Sequence, residues 1–106
     1  RYFTSFNVRE AGIKMVIEKI NELGNKIYLS IDMDGIDPAY APAVATPEPY
    51  GLTPWDVREI IFSIGEKLVG ADIVEIVPHY DSGNTSMLGA KLVQEIIASK
   101  KIKSHP

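Results

Sequence analysis

The chain contains no cysteine. Disulfides and thiolate metal sites are therefore excluded, and the absence is compatible with a reducing compartment, so a cytoplasmic protein is expected. It has no block of lysine or arginine and a formal net charge of −3, which argues against nucleic acid as a main partner. No apolar run approaches the ~18 residues of a membrane span, and no signal-peptide pattern is visible. Internal repeats and low-complexity segments are missing too. What is present is apolar. Hydrophobic residues make up 45% of the 106, enough for a packed core and too many for a disordered chain. This length holds one domain at most. The first residue is Arg1, not Met, and the expectation is a piece of a longer protein.

Helices and strands alternate in the pattern. Residues 7–23 read as a helix, with Asn7 and Glu10 in capping-box positions and Ile13, Val16, Ile17, Ile20 and Leu23 on one face. Residues 26–31 read as a buried strand. A second helix starts at Thr53-Pro54-Trp55-Asp56, with Thr53 as cap and Pro54 at the first helical position. Its stripe of Val57, Ile60, Ile61, Ile64 and Leu68 predicts a helix running to Gly70, with close packing at Gly65. Residues 72–77 read as a second buried strand carrying Glu75 in its centre. A last helix is expected from Thr85 or Ser86 to Lys100, with Leu88, Leu92, Val93, Ile96 and Ile97 facing the core, and a frayed tail over 102–106. The aromatic residues Tyr2, Phe3, Phe6, Tyr28, Tyr40 and Trp55 are expected to pack. This order predicts an α/β fold whose parallel sheet is covered on both faces. Two strands cannot complete such a sheet, which again points to a missing part.

The chemistry concentrates at the end of the first strand. Asp32, Asp34 and Asp37 fall within six residues and Pro38 follows. Asp32 and Asp34, two apart in extended chain, point to the same side. Side by side they repel, so a cation between them is expected, and hard divalent ions take oxygen ligands of this kind. The 38–53 connection has four prolines and Gly51, and reads as a shaped wall beside the acids. Two structural alternatives stand beside this. Asp32 and Asp34 can cap a turn, and Glu75 can pair with Arg58 or a lysine in the core. On these readings the chain is a non-catalytic α/β module.

The spacing fails as an EF-hand, because glycine comes at position 4 counted from Asp32 and position 12 is Ala43. Asp32-Met33-Asp34-Gly35 resembles the nucleophile motif of haloacid dehalogenase-type phosphatases, but Ile36 replaces the threonine and nothing downstream supports that chemistry. A third resemblance runs along nearly the whole chain. Ser30 to Pro38 resembles the second metal motif of the ureohydrolases, the arginase, agmatinase and formiminoglutamase family. It continues through Ala41-Pro42-Ala43-Val44-Ala45-Thr46-Pro47-Glu48 and Gly51-Leu52-Thr53, then Asp72 to Pro78, Asp81 and Thr85. The sequence is most similar to the microbial agmatinases.

This resemblance implies a three-layer α/β/α fold, of which residues 1–106 would be the C-terminal part of one catalytic domain. It implies hydrolysis of a small guanidinium compound, such as agmatine, to urea and an amine with two Mn²⁺ ions, in an enzyme that assembles as a trimer or hexamer. Asp32 would bridge both ions and Asp34 would bind one. Glu75 would hold the guanidinium group, Thr46 would hydrogen-bond beside it, and Asp37 would be structural. Ala45 stands where the family usually has glycine, and Val77 where it often has asparagine. The family's upstream histidine motifs are not in this sequence, which leaves four of six expected ligands to come from elsewhere. His79 reads as a surface turn residue, and His105 as a residue of the tail without a role. This chain alone is expected neither to bind Mn²⁺ tightly nor to turn over agmatine.

Overall fold

The computed structural model describes residues 2–102; His105 and residues 103–106 of the expected tail lie outside them. The Thr4 hydroxyl accepts from Asn7 N at 3.0 Å, and Asn7 Oδ1 accepts from Thr4 N at 3.0 Å. This reciprocal cap starts α1 (Ser5–Ala11), three residues before the expected one. α2 (Ile13–Asn21) follows directly. The single helix expected over 7–23 is thus two. Gly12, at φ +90, takes a left-handed conformation that glycine tolerates and that breaks the helix.

β1 (Ile27–Asp32) alternates, with Ile27 and Ile31 buried and Tyr28 and Ser30 exposed, so one face meets the core and the other does not. A single 3-10 turn, Met33–Gly35, leads into the proline-rich strap. α3 (Pro54–Ile64) begins as its sequence dictates: the Thr53 hydroxyl accepts from Asp56 N at 3.2 Å, Asp56 Oδ2 accepts from Thr53 N at 3.0 Å, and Pro54 loses no bond at the first helical position.

The end of α3 differs from expectation. The helix stops at Ile64, a 3-10 turn spans Gly65–Lys67, and β2 (Leu68–Val74) begins four residues early. Leu68 is buried, but as a strand residue. A Cβ on Gly65 would lie 2.6 Å from the Ser99 Cβ and 2.7 Å from the Ser99 carbonyl oxygen, so only a glycine lets the last helix pass this close. β2 pairs in parallel with β1, from Ile27↔Leu68 to Asp32↔Val74.

α4 (Asn84–Ile102) turns Leu88, Leu92 and Ile96 to the core, an i, i+4 row. Val93 and Ile97 sit one position round the helix and are 46% and 54% exposed, so the expected five-residue face is narrower by two. Ile31, Met33, Ile36, Val57, Ile61 and Leu92 form the main core, between one sheet face and α3 with α4.

Within this portion of the expected three-layer fold, the helices cover one face of the strand pair. Among the described residues the other face is open. There Asp72 accepts from Tyr28 Oη at 2.8 Å and from Ser30 Oγ at 2.6 Å. The Ser30 and Tyr28 bonds hold the Asp72 carboxyl below its usual range, and the same contact raises the Tyr28 phenol. Five of the six aromatics expected to pack, Tyr2, Phe6, Tyr28, Tyr40 and Trp55, are between 47% and 84% exposed. They lie on helix, strand and loop surfaces turned away from the single core.

Candidate functional site

β1 delivers Asp32 to its carboxyl end in extended conformation. Asp32 Oδ1 accepts from Asp34 N at 2.9 Å and so caps the Met33–Gly35 turn. This is the capping role considered for these acids, and it engages one oxygen of Asp32. The turn then presents Asp34. Its Oδ2 accepts from Thr46 Oγ1 at 2.6 Å. Its Oδ1 is buried and has no hydrogen-bond partner among the described residues. A buried acceptor left unpaired costs about 1–3 kcal/mol, and more when charged. This unsatisfied oxygen, two residues along from a second carboxylate, fits a hard divalent cation. Among the described residues no group of three or more His, Cys, Asp or Glu could hold an ion. Asp32 and Asp34 alone are too few to hold an ion.

The strap carrying Thr46 is held at several points. Ala43 N donates to Thr85 Oγ1 at 2.9 Å, and Ala43 O accepts from Val77 N at 2.8 Å. Thr85 is fully buried, and its hydroxyl donates to Asp81 Oδ2 at 2.7 Å. Asp81 also accepts from Thr85 N at 3.0 Å and Gly83 N at 2.9 Å. At the strap's other end Leu52 N donates to Gly35 O at 2.9 Å, and Asp37 N to Leu52 O at 2.8 Å. Asp37 Oδ1 accepts from Ala39 N at 2.9 Å and Oδ2 from Gly51 N at 3.2 Å. Gly51 has to be glycine here, because a Cβ would lie 2.6 Å from Asp37 N and 2.9 Å from Gly35 O.

These bonds have a pH signature. The backbone N–H of Ala39, with help from Gly51 and Tyr50, holds Asp37 below its ordinary 3.8. The Thr85 side chain, then Gly83, lowers Asp81 likewise. A carboxyl depressed in the folded state adds stability that is complete above the unfolded value and lost as pH falls through the folded one. The melting temperature is therefore expected to drop on acidification from about pH 5 toward 2, and Asp37→Asn is expected to flatten that drop. Melting curves of both proteins across that range check it; equal slopes would remove Asp37 from the strap's stability.

Glu75 is the first residue beyond β2, not a residue of its interior, and it is exposed. Val74 pairs with Asp32, so Glu75 stands at the same carboxyl edge as the two aspartates. Its φ of +72 is left-handed, a conformation that costs a side-chain-bearing residue about 1–2 kcal/mol. Among the described residues its carboxylate has no partner. Arg58, considered for it, pairs through Nε with Glu95 at 3.0 Å. His79 lies exposed on the Pro78–Tyr80 turn, its ring edge-on to Tyr80. The Asp81–Thr85–Ala43 relay was not read from the sequence as a unit; its one local signal is Asp81-x-Gly83-x-Thr85 ahead of a helix.

The sequence profile of the arginase family matches residues 1–99. The chain belongs to the arginase family. It is 53% identical over 73 residues to the mitochondrial agmatinase of Gallus gallus, covering 67% of this chain and 22% of that protein. It is 51% identical over 84 residues to the guanidinobutyrase of Pseudomonas aeruginosa, covering 77% and 26%. Among solved structures, the agmatine ureohydrolase of Thermoplasma volcanium superposes with a TM-score of 0.90 at 55% identity, covering 96% of this chain and 36% of that one. The arrangement is thus that of the arginase fold, and the chain spans roughly a quarter to a third of these relatives' length.

Proposed function

We propose that this chain is the C-terminal part of the catalytic domain of a ureohydrolase, and that the whole protein hydrolyses a small guanidinium compound, agmatine first among them. The observation that carries this reading is the buried, unpaired Asp34 Oδ1 beside Asp32. Capping accounts for one oxygen of Asp32 and nothing accounts for this one, which favours a cation site over a purely structural pair of acids.

Asp32 and Asp34 would hold Mn²⁺ together with ligands from outside this chain. When bound, a metal pair supplies Lewis acidity and makes water nucleophilic near neutral pH. Glu75 supplies the substrate's counter-charge. A guanidinium is planar, cationic and donor-only, so a carboxylate accepts from it and fixes its plane. Placing Glu75 at the sheet edge that carries the aspartates sets the guanidinium carbon over the reacting water, a gain of orientation. Water then adds to that carbon, the bond from carbon to the alkylated nitrogen breaks, a proton passes to the departing amine, and urea is left.

The relatives divide between amine and carboxylate tails, as agmatinase and guanidinobutyrase. Urea release by the whole protein with Mn²⁺ is therefore to be measured against agmatine, arginine and guanidinobutyrate, and formamide release against formiminoglutamate. Turnover is expected with agmatine in excess of the others. No urea from any guanidino compound would overturn the reading.

A further inference from the structure

We infer that Thr46 is a positioning residue for the Asp34 carboxylate, not a residue of the substrate's surroundings. The inference rests on the metal reading above and assigns Thr46 a different task from the one the family resemblance implies.

The Thr46 hydroxyl donates to Asp34 Oδ2 at 2.6 Å, a short bond of the kind made by a hydroxyl to an anion. It thereby occupies one oxygen and fixes the carboxylate plane. The other oxygen, Oδ1, is left buried and unpaired. A carboxylate with one oxygen held by protein and the other buried and bare is set to present Oδ1 to a cation. Thr46 can fix this choice because its strap is anchored on both sides. Ala43, three residues before it, is held on both sides of its peptide group by Thr85 and Val77. Leu52 and Gly51, beyond it, are tied to Gly35 and Asp37. The sequence places Thr46 twelve residues from Asp34, and the strap's anchors bring them together. An outer-shell donor of this kind orients a metal ligand, and its loss typically costs 10–100-fold in metal affinity.

The test uses the whole protein. Thr46→Val keeps the shape of the side chain and removes the donor; Thr46→Ser keeps the donor. Free Mn²⁺ is followed by electron paramagnetic resonance during titration, with no substrate present, and steady-state kinetics are measured separately. Thr46→Val is expected to weaken one Mn²⁺ site by roughly 10–100-fold, to lose kcat at limiting metal with KM unchanged, and to regain kcat as Mn²⁺ is raised. Thr46→Ser is expected to bind Mn²⁺ as wild type does. Unaltered Mn²⁺ binding by Thr46→Val overturns the inference whatever KM does, and so does equal loss in Thr46→Ser. The control is Asp34→Asn. If that variant binds Mn²⁺ as tightly as wild type, the metal reading itself falls, and this inference with it.

Discussion

Replacing Glu75 with glycine is expected to leave the fold as stable as before or slightly more so, while guanidinium turnover falls by roughly 10²- to 10³-fold. The two effects part company because of one backbone angle. At φ +72 a side chain is penalised and a glycine is not, so Glu75→Gly relieves strain of about 1–2 kcal/mol, less the entropy that glycine loses on folding. The carboxylate has no partner among the described residues that the substitution would strand. What disappears is the charge at the sheet edge beside Asp32. A residue kept in an unfavourable conformation, exposed and unpaired among the described residues, is a candidate for a task other than folding. Glu75→Gln separates the contributions, since it keeps the strain and removes only the charge. Thermal melts and kcat/KM of both variants decide the matter. A clear fall in melting temperature for Glu75→Gly would mean that the residue holds the fold.

How far the sequence foretold this molecule depended on how local each cause was. The start of α3 was fully legible, because Thr53, Pro54 and Asp56 act within one turn. The end of α3 was not. Leu68 continues the apolar stripe by spacing, and nothing in that spacing marks the change to a 3-10 turn at Gly65. The same error moved β2: its first residues were taken into the helix, and its end was placed at Pro78 because no sequence signal marks the left-handed turn at Glu75. In α1 and α2 a signal was present, Thr4 with Asn7 and then Gly12, but the apolar spacing across the break outweighed it. The parallel α/β architecture came through because the alternation of periods survives such boundary shifts.

The site shows the same division. The acidic pair and its strand could be read from six adjacent residues. The wall-like strap could be expected from its prolines, but its anchors could not, since Asp81, Thr85 and Ala43 are 42 residues apart in the chain at their widest bond. That Thr46 serves Asp34 is likewise a fact of three-dimensional contact.

The second large effect concerns the aspartates. Asp34→Asn removes a buried anionic oxygen that has no partner, so the metal-free protein is expected to be unharmed or stabilised. If the pair holds metal in the whole protein as proposed, the sign is expected to reverse with Mn²⁺: wild type would gain stability from bound metal by mass action and the variant would not, and turnover would fall by about three orders of magnitude or more on loss of a ligand to the activating metal pair. Asp32→Asn is expected to share the loss of activity and of metal stabilisation. It differs in the metal-free state, where Asp32 Oδ1 caps the turn through Asp34 N, a bond the asparagine oxygen can keep. Melting temperatures with and without Mn²⁺, set beside kcat for each variant, show whether stability and activity move oppositely.

The most direct measurement is anomalous diffraction from crystals of the whole protein grown with Mn²⁺. Two manganese peaks are expected at the carboxyl end of β1, one bonded to both aspartates and Oδ1 of Asp34 among its ligands. Crystals in which manganese is bound elsewhere, or in which Asp32 and Asp34 keep the hydrogen bonds described here and touch no ion, would contradict the reading of this acidic pair as a metal site.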